Sequence, residues 1–358
     1  MALQYQSRPE PMNATPHHSK VKASVTFSDP FFIAGDAVTG KMELESRADQ
    51  GLGLGIIMVE LVAIEELTSR DHSATSTFLQ TRRLFQGPGL PPSNAVLPNP
   101  IAGEPPLPAH HYRARRGLTT FLFRLPLPPS SPSSVDFGNG LARIRYEIRA
   151  SVSVAWKGQN RLVTDRYPID VLQRYPGNGA AREEEGESYV DLWPAPESLV
   201  IGEGGKIWAQ ARVLGGILVA GESACIELQV KNHSSKKTTG LHLTLSRHLH
   251  LPSPANNTSK RLPPPLQISD ALESVSFRGP EYIAHPGTEG IAQLAFDVPY
   301  TARTVSAHPR DGGDTVEDRE KLVVVKGKTP ALFEVRGVVA VRIVMPLGRW
   351  DLCLTFLV

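Results

Sequence analysis

The sequence predicts an all-β protein built from two tandem immunoglobulin-like β-sandwich domains. Apolar and polar residues alternate over many short stretches that turn residues separate, and no window carries an apolar stripe at helical spacing over three turns. The segment FFIAGDAVTGKMEL at 31–44 also recurs as ILVAGESACIELQV at 217–230. A period of roughly 186 residues is too long for a solenoid and indicates two duplicated domains.

A second pair of segments matches at nearly the same offset, and a third pair is a looser match. RYEIRASVSV at 145–154 aligns with LFEVRGVVAV at 332–341, and FRLP at 123–126 more loosely resembles FDVP at 296–299. In each copy of the first repeat a Gly turns the chain, an acidic residue follows, and alternating apolar residues begin a strand. We therefore expect Val38, Met42 and Leu44 to fill a core.

Composition limits the class of protein. Of the 358 residues, 41% are hydrophobic and 21% are charged, which suits two soluble domains with cores of their own. The formal net charge of +2 argues against a nucleic-acid-binding function. The two cysteines, Cys225 and Cys353, are predicted to be buried thiols in a reducing compartment and not a disulfide framework.

We expect a cytosolic protein. The N-terminus lacks the apolar core of a signal peptide, and no stretch approaches the roughly 18 apolar residues that span a bilayer. The sequons at Asn13, Asn232 and Asn256 are then expected to stay unmodified, because glycosylation needs the secretory route.

The predicted domains follow the changes in composition. Residues 1–19 are expected to be disordered, 20–172 to form the first sandwich, 173–200 to be an acidic and Pro/Gly-rich linker, and 201–358 to form the second sandwich. Within the first domain, residues 86–116 are Pro/Gly-rich without a period. They are predicted to be a long surface insertion, partly polyproline II.

In the first domain, alternation predicts strands at 20–27, 38–45 and 119–125. IIMVELVAIEEL at 56–67 is apolar on both faces, which suits an inner strand. TFLQTRRLF at 77–85 fits a strand or a short helix. ARIRYEIRASVSV at 142–154 is the cleanest alternation, and we expect one face to be buried and the other solvated. The buried set is Ile144, Tyr146, Ile148, Ala150, Val152 and Val154, and the solvated set is Arg143, Arg145, Glu147, Arg149, Ser151 and Ser153.

The second domain repeats this plan. Alternation predicts strands around 226–230, 241–245 and 335–343, and LCLTFLV at 352–358 is a last strand. Residues 232–240 are predicted to form a turn, and 252–266 and 300–330 are Pro-, Gly- or charge-rich loops.

These segments together resemble the arrestin fold. The resemblance rests on FFIAGDAVTGKMEL, ARIRYEIRASVSV, GGILVAGESACIELQVKNHSS at 215–235 and the terminal LCLTFLV, and it covers about residues 20–358. The chain is most similar to the fungal alpha-arrestins, the arrestin-related trafficking adaptors. That group couples membrane cargo to HECT-type ubiquitin ligases through Pro-Pro-x-Tyr motifs, which this sequence lacks. Its nearest runs are PPSN, PPLP and PPPL.

The resemblance implies an adaptor. Such a protein binds cytoplasmic parts of membrane proteins and links them to endocytosis, ubiquitination or signalling, from the cytoplasm at the plasma membrane or endosomes. A retromer-type arrestin-fold scaffold in endosomal sorting is the alternative within the binding class. An enzyme is the alternative from another class.

Seven cationic residues are candidates for an anionic ligand, because arrestins take phosphorylated receptor tails or acidic lipid heads with Lys and Arg side chains. The set is Lys20, Lys22, Arg82, Arg83, Arg113, Arg115 and Arg116. The competing interpretation is a solvated surface. The PxxP-like runs at 88–108 fit an SH3 or WW partner, or simply a linker.

Other motifs are weak. His242, His248 and His250 share one face of a strand, but a metal normally needs four good ligands. GLGLG at 51–55 lacks the helix and the Lys-Ser/Thr of a phosphate loop. Ser69, Asp71 and His72 are adjacent in sequence, whereas a triad is assembled in space. With no HExxH, GxSxG or CxxC, we expect no catalytic residue, metal or cofactor.

Overall fold

The computed structural model describes residues 14–47, 51–98, 106–174, 197–202, 206–251, 268–306, 323–324, 330–346 and 352–357. These ranges contain 21 β-strands and no α-helix, and the short 3-10 turn Pro280–Tyr282 is their single helical segment. The all-β prediction is therefore confirmed. The predicted linker lies mostly outside the described residues.

The chain divides into two compact units. Unit 1 comprises Met1–Ser134, Leu141–Arg174 and Ala307–Leu332. Unit 2 comprises Val135–Gly140, Tyr175–Ser306 and Phe333–Val358. Each unit thus takes most of its residues from one half of the chain and a shorter segment from the other half.

Unit 1 is made of two sheets. Its strands are β1 (Ala14–Thr15), β2 (Val21–Phe27), β3 (Phe31–Ile33), β4 (Ala37–Ser46), β5 (Gly53–Thr68), β6 (Ser73–Gln86), β7 (Val96–Leu97), β8 (Tyr112–Ala114), β9 (Gly117–Pro126), β11 (Ala142–Trp156), β12 (Gln159–Leu172) and β19 (Val323–Val324). The smaller sheet has the order β2-β4-β9, and the larger sheet has the order β1-β12-β11-β5-β6-β19 with β3 on β12 and β8 on β5.

The core of unit 1 lies between these sheets. Val38, Met42 and Leu44 of β4 are buried, as predicted. Phe121 of β9 stacks on Phe85 of β6, with ring centroids 4.8 Å apart. Burial of this apolar surface is the main stabilising term of such a sandwich.

Unit 2 is also made of two sheets around one core. Its strands are β10 (Val135–Phe137), β13 (Glu197–Gly202), β14 (Ile207–Val213), β15 (Ser223–Asn232), β16 (Gly240–His250), β17 (Ile268–Phe277), β18 (Thr288–Asp297), β20 (Glu334–Val344) and β21 (Leu352–Leu357). The sheets have the orders β13-β14-β15-β18 and β17-β16-β20-β21. Alternate residues of β14, β15 and β18 pack against those of β16 and β20.

The strand orders of the two units match. β2-β4-β9 corresponds to β14-β15-β18, and β6-β5-β11-β12 corresponds to β17-β16-β20-β21. The repeated turn has the same backbone conformation in both units, since Gly35 and Gly221 both have a φ of 90°. In each copy the glycine N–H donates to a residue, Leu127 or Val298, whose own N–H donates back to the carbonyl of the following acidic residue.

The hydrogen bonds of this turn show that the sequence match between FRLP at 123–126 and FDVP at 296–299 is out of register. Because Leu127 and Val298 occupy the same place, Leu125 of β9 corresponds to Phe296 of β18, as their partners Val38 and Ala224 also show. The FRLP–FDVP alignment is therefore wrong by two residues. A slip of two keeps every side chain on its face of the sheet, so the apolar pattern could not reveal it.

Several local predictions have clear outcomes. β5 is an inner strand, as predicted, and 77–85 belongs to strand β6. The inward residues of β11 are buried as predicted, but Glu147 and Ser151, which were predicted to face water, are buried too. The Glu147 carboxylate is compensated by ion pairs with Arg145 and Arg149 on either side of it.

Two predicted irregular regions contain structure. β1, within the stretch 1–19 that was expected to be disordered, pairs in parallel with Leu162 and Val163 of β12. The described part of the 86–116 insertion is no loose surface loop, because β7 and β8 form a hairpin that extends the larger sheet at Gly53 and Leu54. Ala95, Val96 and Ala114 of this insertion are buried.

Candidate functional site

One end of unit 1 gathers cationic side chains from four segments of the chain, and we call it the basic end. In the smaller sheet, Val21, Ser46 and Gly117 lie side by side on β2, β4 and β9. The neighbouring residues on the same side of these three are Lys20, which precedes Val21, Arg47, which follows Ser46, and Arg116, which precedes Gly117. The Arg47 N–H donates to the Lys20 carbonyl at 2.8 Å. Neighbouring strands are about 4.8 Å apart, so three cations form a row.

The larger sheet adds a second row. Arg113 of β8 lies opposite Gly53 of β5, which lies opposite Ala155 of β11, which lies opposite Asn160 of β12. Next to Ala155, the β11–β12 hairpin turns through Trp156 and Lys157. Lys157 has a φ of 50° and Gly158 a φ of 75°, as a two-residue hairpin turn requires.

Trp156 is the centre of the basic end. Lys157 Nζ lies 4.5 Å and Lys20 Nζ 5.8 Å from the centroid of its ring, within the range of cation–π attraction. The His18 ring meets Trp156 edge to face at 5.7 Å. Burial and the nearby Arg161 guanidinium both lower the pKa of His18, so this imidazole is neutral at physiological pH.

Acidic side chains are scarce around these cations. Residues 14–28, 106–123 and 150–164 contain seven Lys and Arg residues, four His residues and no Asp or Glu. Because the whole chain has a net charge of +2, the remaining residues together carry −5. Glu45 lies beside this end, where it accepts a hydrogen bond from Arg47 Nε at 3.3 Å.

The insertion is fixed to this end by specific contacts. His111 Nε2 is 3.1 Å from Ser153 Oγ of β11. A Cβ on Gly55 would lie 2.7 Å from His111 Nε2, and one on Gly53 would lie 2.9 Å from Leu107. Gly53 and Gly55 of GLGLG therefore make room for the insertion, and their face is covered by protein.

The structure brings together four of the seven predicted cations. Lys20, Arg113, Arg115 and Arg116 belong to the basic end, and Lys22 follows on the exposed face of β2, opposite Glu45. Arg82 and Arg83 do not belong to it. Arg82 lies opposite Glu60, seven residues along β5 from Arg113's partner Gly53, or roughly 23 Å away.

Arg47, Trp156, Lys157 and Arg161 were missed by the sequence prediction. Each cation among them is isolated in sequence, so no local cluster marked it. The KGQN turn after Trp156 was visible as a hairpin, and its tip was the signal that could have led to Lys157. Strand register, which the sequence pattern leaves open, is what places these residues beside Lys20.

The weaker motifs have structural explanations within the described residues. His242 Nδ1 and Nε2 are each 3.1 Å from a serine of β17, and His248 Nε2 is 3.5 Å from Ser246 Oγ. No group of three or more His, Cys, Asp or Glu in the described ranges is arranged to hold a metal ion. Ser69 Oγ donates to the His72 carbonyl within a tight turn between β5 and β6.

No protein-family model matches the chain, and no curated protein matches its sequence. In the described part of the chain, no helix is long and apolar enough to cross a membrane.

Proposed function

We propose that this protein is an arrestin-like adaptor that binds acidic, extended segments of the cytoplasmic parts of membrane proteins and links them to endocytosis, ubiquitination or signalling. The supporting observation is the basic end, where strand register places cations from four chain segments at one end of unit 1 and two of them, Lys20 and Lys157, lie over the Trp156 ring. An anionic segment placed there would interact with several Lys and Arg side chains at once.

The edge of the smaller sheet suits an extended segment. In unit 2, β13 covers the outer edge of β14 through six antiparallel residue pairs. The corresponding strand in unit 1, β2, pairs with β4 alone among the described strands, and its outer edge carries only the bridge from Val21 to His18 and a backbone hydrogen bond from Val25 to the Tyr167 hydroxyl. A bound segment that displaces these two contacts and repeats the position of β13 would add a strand to β2 and run beside Lys20 and Lys22.

The number of negative charges on the bound segment determines how strongly it binds. An exposed ion pair contributes only about 0.2–1 kcal/mol, so one or two phosphates or carboxylates would bind weakly. The cations of the basic end act together in the proposed site, and the main-chain hydrogen bonds of strand addition increase the affinity. Because the charges are exposed, binding should weaken as salt rises past about 0.15 M, where the Debye length is about 8 Å.

The test measures binding of a fluorescein-labelled peptide with three phosphoserines to the full chain at low salt. Lys157→Glu combined with Arg161→Glu should weaken binding by roughly tenfold or more, which corresponds to about 1.4 kcal/mol. The control is Lys237→Glu, which reverses an exposed cation of unit 2 and should leave binding unchanged.

A second arm separates peptide from lipid. Vesicles of phosphatidylcholine with phosphatidylserine replace the peptide. Binding to these vesicles is measured for the wild-type protein and for the variant Arg113→Ala/Arg115→Ala/Arg116→Ala. Binding to vesicles but not to the phosphopeptide would overturn the proposal in favour of a membrane surface. Equal peptide binding by wild type and the double charge reversal would also overturn it.

A further inference from the structure

The outer face of β9 carries a symmetric pattern that shares only Arg116 with the basic end. Its residues are Arg116, just before the strand, then Leu118, Thr120, Leu122 and Arg124. Leu118 is 63% exposed and Leu122 is 73% exposed. The alternate residues Phe123 and Leu125 are buried in the core, so sandwich packing does not account for the two leucines.

β9 is also an edge strand. Among the described strands it pairs with β4 alone, where Leu118 lies opposite Glu45 and Leu122 lies opposite Lys41. The other edge leaves main-chain groups for a further strand, whose side chains would lie against Leu118 and Leu122. Exposed edges with apolar side chains are the usual template for strand addition.

A second copy of this chain does not fit that edge. An antiparallel pair of β9 strands that puts Leu118 opposite Leu122 of the other copy also puts Arg116 opposite Arg124, at both ends. Like charges directly opposite each other destabilise a sheet, and flanking cations are a common protection against self-pairing. No ion pair of Arg116 or Arg124 occurs within the described part of the chain that would neutralise them.

We propose that the outer edge of β9 binds an extended peptide segment of a protein partner whose apolar residues are flanked by acidic ones. The complementary pattern is an acidic residue, apolar residues two and six positions later, and an acidic residue eight positions later. Because the pattern on β9 reads the same in both directions, it fits such a segment in either orientation. The site shares Arg116 with the basic end but uses none of the residues of the Trp156 hairpin, and it does not depend on the proposed adaptor function.

The probe is a fluorescein-labelled nonapeptide, Glu-Thr-Val-Thr-Thr-Thr-Val-Thr-Glu, with a matched peptide that has Lys at both ends. Wild-type protein should prefer the Glu peptide by roughly tenfold at low salt, since two cross-strand charge pairs of up to about 1 kcal/mol each change from attractive to repulsive. Arg116→Glu combined with Arg124→Glu should reverse that preference. Both residues are exposed, and binding of the Lys peptide shows that the variant is folded.

Three other measurements make the outcome decisive. Leu118→Thr combined with Leu122→Thr should weaken both peptides alike, and amide exchange should slow in 117–126 on binding. Lys157→Glu/Arg161→Glu should leave Glu-peptide affinity unchanged, which separates this site from the adaptor site. Equal affinity for the two peptides, or an unreversed preference in the charge-reversed variant, overturns the proposal. A wild-type dimer that the leucine double variant abolishes overturns it in favour of a second copy.

Discussion

Individual polar residues in unit 2 show how a sequence motif can have a structural role. Asn232 is fully buried, and its Nδ2 donates to the carbonyls of Lys236 and Ala284 at 2.8 and 3.0 Å. Its Oδ1 accepts from the N–H and the hydroxyl of Ser234. The Asn-x-Ser sequence here is a turn whose amide has every hydrogen bond filled, which a sequon search cannot distinguish from a surface acceptor.

Tyr167 gives a prediction at the same scale. Burial and the Asp165 carboxylate, to which the Tyr167 hydroxyl donates at 2.8 Å, raise its pKa to about 12 from a usual value of 10. The folded state therefore favours the neutral phenol, and the stability that this provides is complete below pH 10 and is lost as pH rises from 10 to about 12. Tyr167→Phe should reduce the pH dependence of unfolding in that window.

Chemical denaturation at pH 9 and at pH 11 measures the effect. The wild type should lose more stability between the two values than Tyr167→Phe does. Tyr300→Phe, which alters an exposed tyrosine of unit 2, is the matched control. Identical losses in wild type and Tyr167→Phe would contradict the assignment.

Whole strands were predicted correctly where the spacing of apolar residues was enough to identify them. β5 and β11 are both long strands. The apolar pattern of β5 identifies it as an inner strand, and the alternation in β11 identifies its buried apolar face. The strands of the 86–116 insertion could not be predicted in this way, because its Pro and Gly residues leave no periodic apolar pattern. Its attachment depends on single side chains, above all Gln86, which sits at the end of β6 and is fully buried.

Gln86 supplies a prediction for the insertion. Its Nε2 donates to the carbonyls of Leu54 and Gly55, and its Oε1 accepts from the N–H and the hydroxyl of Ser93. Gln86→Ala removes all four bonds and leaves buried groups unpaired, at a cost of about 1–3 kcal/mol for each group left without a partner. Amide exchange at β7 and β8 should accelerate by more than tenfold.

Exchange in β15 of unit 2 serves as the internal reference and should not change. Gln80→Ala, on the same strand but partly exposed, is the matched variant and should leave β7 and β8 protected. Unchanged exchange at β7 and β8 in Gln86→Ala would show that other contacts hold the insertion in place.

At the scale of the whole molecule, the duplication was visible in sequence but the basic end was visible only in part. Arg113, Arg115 and Arg116 form a local cluster that composition alone reveals. Arg47, Lys157 and Arg161 are single residues, and strand register brings them beside Lys20 across two sheets. Arg82 and Arg83 were a local cluster as well, and register places them well along β5 from the others. Sequence clustering is thus a poor measure of spatial clustering in a β-sandwich, since neighbours across a sheet are distant along the chain.

The duplication also predicts how the molecule unfolds. Each unit has its own two-sheet core, with Leu61 fully buried in unit 1 and Leu228 fully buried in unit 2. We therefore expect two calorimetric transitions. Truncating a buried leucine to alanine costs about 2–5 kcal/mol through lost transfer energy and the cavity left behind. For units of this size, that lowers the affected midpoint by roughly 5–15 °C. Leu61→Ala should move one transition and Leu228→Ala the other, as differential scanning calorimetry of the full chain would show. A single transition that both variants shift equally would mean that the two cores unfold as one cooperative unit.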